Sequence, residues 1–236
     1  MLNISASSGR LAAVFFGYGL AFLLPPLLLG GGWWWLLVWC TVAWWWVALG
    51  FLRRDARHLG KRTDGSLQPV VAVLLLPYLA FVLGLFYAKR WVLRRESSVD
   101  QVAPGLFLGR RPLPGEIPKE VELVVDLSAE LPKPRGLGHR RYRCLPILNR
   151  FAPTAEVLAP LIADLAADPA PMLIHCIAGK GRSATVAAAV LIARGQATDA
   201  ADAERQLQAA RPVVHLHPAQ KRVVDAVSGK LGSPRD

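Results

Sequence analysis

The sequence predicts an α/β domain over residues 96–236, preceded by a membrane region over residues 1–95. Three observations lead there. Long uncharged apolar runs fill the first part. Beyond Glu96, short apolar strands alternate with helical patterns, which is the arrangement of an α/β layer fold. Within that second part, a strand, a glycine-punctuated loop and a helix follow one another around Cys176.

The chain has 236 residues and a formal net charge of +11. The charge is uneven. Residues 1–95 carry ten Lys and Arg against Asp55 and Asp64 alone, whereas the remainder is nearly balanced. The basic residues flank apolar runs, so they read as membrane-surface charges and not as a nucleic-acid face. The 3 cysteines, Cys40, Cys144 and Cys176, are widely spaced and form no CxxC pair. That usage predicts neither a disulfide framework nor a metal site, and fits a reducing compartment.

Three stretches approach the roughly 20 apolar residues that a spanning helix needs. Leu11–Gly30 is uncharged and interrupted by Pro25-Pro26. Trp33–Leu52 is uncharged, with Trp triplets near both ends that read as interfacial belts. Val70–Ala88 is uncharged and contains Pro77. Two or three apolar helices are expected. Cleavage of the first run as a signal peptide is not, because Gly30-Gly31-Gly32 leads straight into Trp33. The basic segments 53–62 and 89–95 both prefer a cytoplasmic position, yet one crossing between them would separate them. Thiolate chemistry and the cluster Lys89, Arg90, Arg94 and Arg95 favour a cytoplasmic catalytic domain on a plasma (inner) membrane.

In the second part, Val102–Gly109 reads as a short strand turning at Pro104-Gly105, and Glu122–Leu127 as a buried strand. Pro132–Gly138 is a loop, and Arg141–Ile147 alternates as a strand. Thr154 is an N-cap candidate for a helix with Val157, Leu158, Leu161, Ile162 and Leu165 on one face. Met172–His175 is a strand, Ser183–Arg194 an Ala-rich helix, and further helices cover Asp199–Ala210 and the segment after Pro218.

The chemistry concentrates in His175-Cys176-Ile177-Ala178-Gly179-Lys180-Gly181-Arg182-Ser183. A strand delivers the thiol to a loop whose backbone N–H groups converge at a helix start. The helix dipole adds to them, so an anion belongs there. The same field stabilises a thiolate and brings the thiol into the range of roughly 3.5–7.5. Gly179 and Gly181 allow close backbone approach. Arg182, six residues on, offers a planar fork to two phosphate oxygens. Ser183 can donate to the departing sulfur. Ile177, Ala178, Gly179, Lys180, Gly181 and Arg182 are thus the expected substrate-binding residues. Lys180 does not create a nucleotide-binding P-loop, since Gly181 follows it where Ser or Thr is required.

His175-Cys176-x5-Arg182-Ser183 resembles the motif of the protein tyrosine phosphatase superfamily, especially its dual-specificity branch, over residues 100–227. Leu106–Gly109, Val124–Glu130, Arg211-Pro212 and Gln220 are similar to the flanking segments of that branch. The resemblance implies a central sheet flanked by helices and a two-step, metal- and cofactor-independent reaction with Cys176 as nucleophile. It implies that His175 orders the loop by hydrogen bonding. It also implies an Asp general acid, yet the best matching position is Asn149, whose amide cannot protonate a leaving group. Asp126 is the alternative acid, though a structural turn carboxylate is its first reading. His215, His217 and Cys144 read as structural. A membrane-anchored dual-specificity or tyrosine protein phosphatase is expected, acting on a phosphoprotein. The alternatives are a lipid phosphatase acting on a phosphoinositide or phosphatidylglycerophosphate, and an inactive phosphate-binding module. The loop 178–182 is similar to that of phosphoinositide 3-phosphatases, and Arg182–Thr185 to a mitochondrial phosphatidylglycerophosphate phosphatase.

Overall fold

The computed structural model describes residues 2–29 and 32–232, with side chains from residue 9 onward. Gly30 and Gly31 of the expected Gly30-Gly31-Gly32 junction lie outside the described residues. The chain divides into two compact units, residues 1–95 with 129–132, and residues 96–128 with 133–236.

The first unit is helical. Helices α1 (Leu2–Leu29), α2 (Trp35–Arg53), α3 (Pro69–Leu74) and α4 (Leu76–Val92) follow in order. Pro25 and Pro26 stay inside α1 rather than ending it. The third expected run does break. Leu75 separates α3 from α4, with Pro77 in the first turn of α4, where a missing N–H costs nothing. Among the described residues, two helical segments are long and apolar enough to cross a membrane, Gly9–Leu29 and Gly32–Arg53. Aromatic packing joins them. The Trp44 ring lies 5.1 Å from Tyr18 and from Phe81, and 5.5 Å from Tyr78. Gly19 admits the Trp45 ring so closely that a Cβ there would lie 2.3 Å from it.

The second unit is an α/β layer. Its strands are β1 (Val99–Ala103), β2 (Leu106–Arg110), β3 (Leu123–Ser128), β4 (Arg141–Ile147) and β5 (Met172–Cys176). Its helices are α5 (Ala155–Ala167), α6 (Arg182–Ala193), α7 (Ala200–Ala210) and α8 (Pro218–Leu231). The sheet order is β1-β2-β5-β3-β4. β1 runs antiparallel to β2, and the other pairs are parallel. The segment expected as one strand from Val102 is therefore a hairpin that starts at Val99 and turns through the positive-φ Gly105.

Side chains alternate across the sheet, as a pleat requires. Leu106, Leu108, Leu123, Val125, Leu127, Met172, Ile174 and Cys176 face one large cluster to which all four helices contribute. Phe107, Val124 and Leu173 face a smaller cluster with Ile117 and Val121. α6 is buried from Arg182 to Ile192, which explains its alanines: a wider side chain has no room between the sheet and its neighbours. The carboxyl ends of the parallel strands β2, β5 and β3 gather at the head of α6, the crevice where ligands of open α/β sheets bind.

Candidate active site

β5 hands over to the loop at Cys176, and α6 begins at Arg182. The residues between form a tight cradle. Gly179 takes φ +67°, a left-handed conformation open to glycine, and its N–H donates to Cys176 Sγ at 3.2 Å. The Ser183 hydroxyl lies 3.3 Å from the same sulfur. Cys176 is 2% exposed. Burial by itself raises the thiol, but the Arg182 charge, the Ser183 hydroxyl and the backbone N–H groups of Ser183 and Gly179 outweigh it. The net displacement is downward, toward the thiolate.

Arg182 is buried, and its Nη1 donates to the Ile147 carbonyl at 2.6 Å. That bond fixes the plane of the guanidinium from the end of β4. Thr185 closes the first turn of α6 by donating its hydroxyl to Gly181 O at 3.0 Å. Ile177, Lys180 and Gly181 are half-buried and Ala178 is exposed, so this loop forms the rim over the sulfur. The Lys180 ammonium lies 3.8 Å from the Glu96 carboxylate.

The loop is braced from two sides. On one side stands the end of β2, where Arg110 pairs in register with Cys176 and Arg111 N–H donates to Ile177 O at 3.3 Å. A Cβ on Gly179 would meet Arg110 N at 2.5 Å, so glycine is required there for space as well as for φ. On the other side is the α7–α8 connection. Arg211 Nε donates to Gly179 O at 2.9 Å, and His215 N–H donates to Lys180 O at 3.4 Å. Arg211 is anchored in turn on Ser97 O, at 3.0 Å, and on the Asp100 carboxylate. Buried Glu204 accepts from Leu216 N–H at 2.6 Å and pairs with Lys221, which holds the connection in place. Arg110, Arg111, Glu204 and the bracing by Arg211 carry no local sequence signal, because each acts through contacts between distant segments.

The remaining expected residues divide. His175 is fully buried in β5, its Nδ1 3.9 Å from Asp126 Oδ1. Asp126 is itself fully buried, which corrects its alternative reading as the general acid and suits its first reading as a structural carboxylate. Its oxygens accept from Ser128 N–H at 2.9 Å, Ser128 Oγ at 2.6 Å and the Tyr142 hydroxyl at 2.9 Å. Burial, followed by the Asp126 charge, pushes Tyr142 far above its ordinary range, so it stays the donor in that pair. Asn149 is exposed two residues beyond Ile147, in a turn closed by Phe151 N–H on Leu148 O at 3.1 Å. Arg150 beside it has φ +62°. His217 caps α8, and the His215 side chain is exposed near Glu204. Among the described residues, no group of His, Cys, Asp and Glu suits a metal ion.

Residues 116–227 match the family described as PTP-SAK, Swiss Army Knife protein, DSP-PTPase phosphatase domain. Phosphatidylglycerophosphate phosphatase PTPMT2 of Arabidopsis thaliana is 32% identical over 148 residues, a match spanning 57% of this chain and 64% of that relative. The chain thus covers less than two thirds of that relative's length. Human DUSP28 superposes with a TM-score of 0.50 at 27% identity, covering 56% of this chain and 96% of DUSP28. PTPMT1 shares the fold, with a TM-score of 0.50 at 18% identity over 57% of this chain and 96% of PTPMT1. On these grounds residues 116–227 form a domain similar to the dual-specificity-like phosphatases of the protein tyrosine phosphatase superfamily.

Proposed function

We propose that the protein is a membrane-held phosphomonoesterase whose substrate is an anionic phospholipid monophosphate, with Cys176 as nucleophile. The observation that carries the chemistry is the pair of donors on one sulfur, Gly179 N–H at 3.2 Å and Ser183 Oγ at 3.3 Å, at the head of a buried helix. In the first step Cys176 Sγ attacks phosphorus, the P–O bond to the leaving group breaks, and a cysteinyl-phosphate forms. Arg182 and the loop N–H groups hold the phosphoryl oxygens. In the second step water attacks phosphorus, the P–S bond breaks, and inorganic phosphate leaves with the thiolate restored. Ser183 stabilises that thiolate as it departs.

Three features support a lipid. The segments Gly9–Leu29 and Gly32–Arg53 suit a bilayer span, which would hold residues 96–236 beside their substrate. The relative from Arabidopsis thaliana is named for a phospholipid substrate. Lys180 stands in the loop itself, 3.8 Å from the Glu96 carboxylate, and is a cation that a second anionic group on the same molecule could recruit. A cytoplasmic catalytic unit on the inner membrane fits the reduced thiol and the basic segment 89–95. The second reading is a protein phosphatase, supported by the 27% identity to DUSP28.

The test is a panel with full-length protein in detergent: phosphatidylglycerophosphate and phosphoinositides in mixed micelles, a phosphotyrosine peptide, and an aryl phosphate. Preferred release of phosphate from the lipids, abolished in Cys176→Ser, is expected. A higher kcat/KM on the peptide would reverse the substrate assignment. Phosphate binding without turnover of any substrate would return the protein to a binding module.

A further inference from the structure

We propose that Arg211 is a positioning residue for the reaction, holding Gly179 so that the N–H of this glycine meets the Cys176 sulfur. The inference rests on the reading of Cys176 as nucleophile and adds a residue from outside the loop to that machinery.

Gly179 is the only loop residue whose backbone is fixed at both its ends by named partners among the described residues. Its N–H points at Cys176 Sγ at 3.2 Å, and its carbonyl accepts from Arg211 Nε at 2.9 Å. Its φ of +67° reverses the chain between those two bonds. The backbone of Gly109 and Arg110 presses on it from the β2 side, where a Cβ would come within 2.5 Å. Gly179 is therefore held between a rigid strand end and one side chain. Strand β2 stops it moving one way, and the Arg211 bond fixes the following peptide, Gly179–Lys180, which limits rotation about the Gly179 backbone bonds that aim its N–H at the sulfur.

Arg211 is built to serve as that stop. It is 3% exposed, so the bond to Gly179 O does not compete with bulk water. Its Nη1 is anchored on Ser97 O at 3.0 Å and on the Asp100 carboxylate, which compensates the buried charge. Arg110 lies close enough that Arg211, after burial, lowers its affinity for a proton, while Glu96 opposes this. A cation kept at such a cost beside another cation, with a fork that ties β1 to the loop, matches a geometric need that a lysine's point charge meets poorly. Arg211 stands 32 residues from Gly179 in sequence, so the link exists only in the folded chain.

The experiment measures thiolate formation directly. Full-length protein in detergent is alkylated with iodoacetamide across pH, and modification of the Cys176 peptide is followed by mass spectrometry, which separates it from Cys40 and Cys144. The variants are Arg211→Met, Arg211→Lys and Asp100→Asn, each with its melting temperature. Wild type should show a midpoint below the ordinary thiol value of about 8.5. Arg211→Met should raise it by about one pH unit and lower kcat/KM at least tenfold, as loss of one hydrogen bond to the charged form implies. Arg211→Lys should fall between the two. If Arg211→Met does not fold, Asp100→Asn, which removes the anchor and leaves Arg211 in place, should raise the midpoint in the same direction by less. A folded Arg211→Met, or in its absence a folded Asp100→Asn, with an unchanged midpoint overturns the proposal and leaves Cys176 untouched as nucleophile. An ordinary midpoint in wild type overturns both.

Discussion

Arg182 Nη1 donates to the carbonyl of Ile147 at 2.6 Å, tying the buried guanidinium to the last residue of β4. The bond links the start of α6 to the turn that holds Asn149, two residues beyond Ile147. The guanidinium is held in one plane before any phosphate arrives, so little ordering remains for substrate to impose.

Arg182→Lys should consequently lose more than charge. A lysine ammonium cannot satisfy Ile147 O and grip two phosphoryl oxygens at once. We expect kcat/KM to fall at least about 10²-fold, the scale of removing one preorganised donor from a developing anion. Steady-state kinetics with an aryl phosphate checks this; near-normal kinetics in the lysine variant would contradict the phosphate geometry.

Gly179→Ala should inactivate the enzyme without unfolding it. The new Cβ would need φ +67° and would lie 2.5 Å from Arg110 N, so the loop must move away from β2. Left-handed backbone costs an ordinary residue about 1–2 kcal/mol before the clash is counted. Moving the loop withdraws the N–H from Cys176. A modest fall in melting temperature with turnover lost beyond ~10²-fold is expected. Full activity in this variant would show that the loop tolerates displacement.

Ser183→Ala tests the sign of the thiol shift. The Ser183 hydroxyl is among the groups that lower Cys176 against burial. Its loss raises the folded-state value, so the thiolate is present only at higher pH and the acid limb of kcat/KM moves up. Breakdown of the cysteinyl-phosphate should slow roughly tenfold or more, because a hydrogen bond to the charged sulfur is lost. Rapid-quench kinetics should then show a burst of leaving group ahead of phosphate. A limb displaced downward, or no burst with slower turnover, would contradict the role of Ser183.

The site was legible where it is local. Cys176 to Ser183 is a strand, a loop and a helix start in consecutive residues, and spacing alone predicts their convergence. β3, β4 and β5 were legible because their apolar runs are short and bounded by turn residues. The hairpin is hidden in sequence because Asp100 and Gln101 break the apolar pattern of β1, whose pairing depends on partners such as Leu108 in β2. Pro25 and Pro26 predict an interruption from their own chemistry, yet they sit in the last two turns of α1. The grip of Arg211 on Gly179 was invisible, since nothing in either segment announces a bond across 32 residues. For Asp126 the strand-end position visible in sequence suits its first reading as a structural carboxylate, but its partners Ser128 and Tyr142 could not be named from sequence.

Asn149 carries the last prediction. It is exposed in the turn after β4, two residues beyond the carbonyl held by Arg182, which places it within about 7 Å of that backbone. Asp126 is enclosed and committed to three donors, so it does not supply the missing proton. Wild type should therefore depend steeply on leaving-group pKa, since an alkoxide leaves unprotonated far less readily than an aryl oxide. Asn149→Asp puts a carboxyl group where the turn already presents a side chain to solvent. It should speed alkyl phosphates more than aryl phosphates, by up to ~10²-fold, the lower end for a positioned general acid. It should also introduce a basic limb in the pH–rate profile, because the new acid must be protonated to act. Asp126→Asn should leave the leaving-group slope where it is. A slope unchanged in Asn149→Asp would remove this turn from the proton transfer, and the wild-type enzyme would then be one that relies on good leaving groups or on a proton from water.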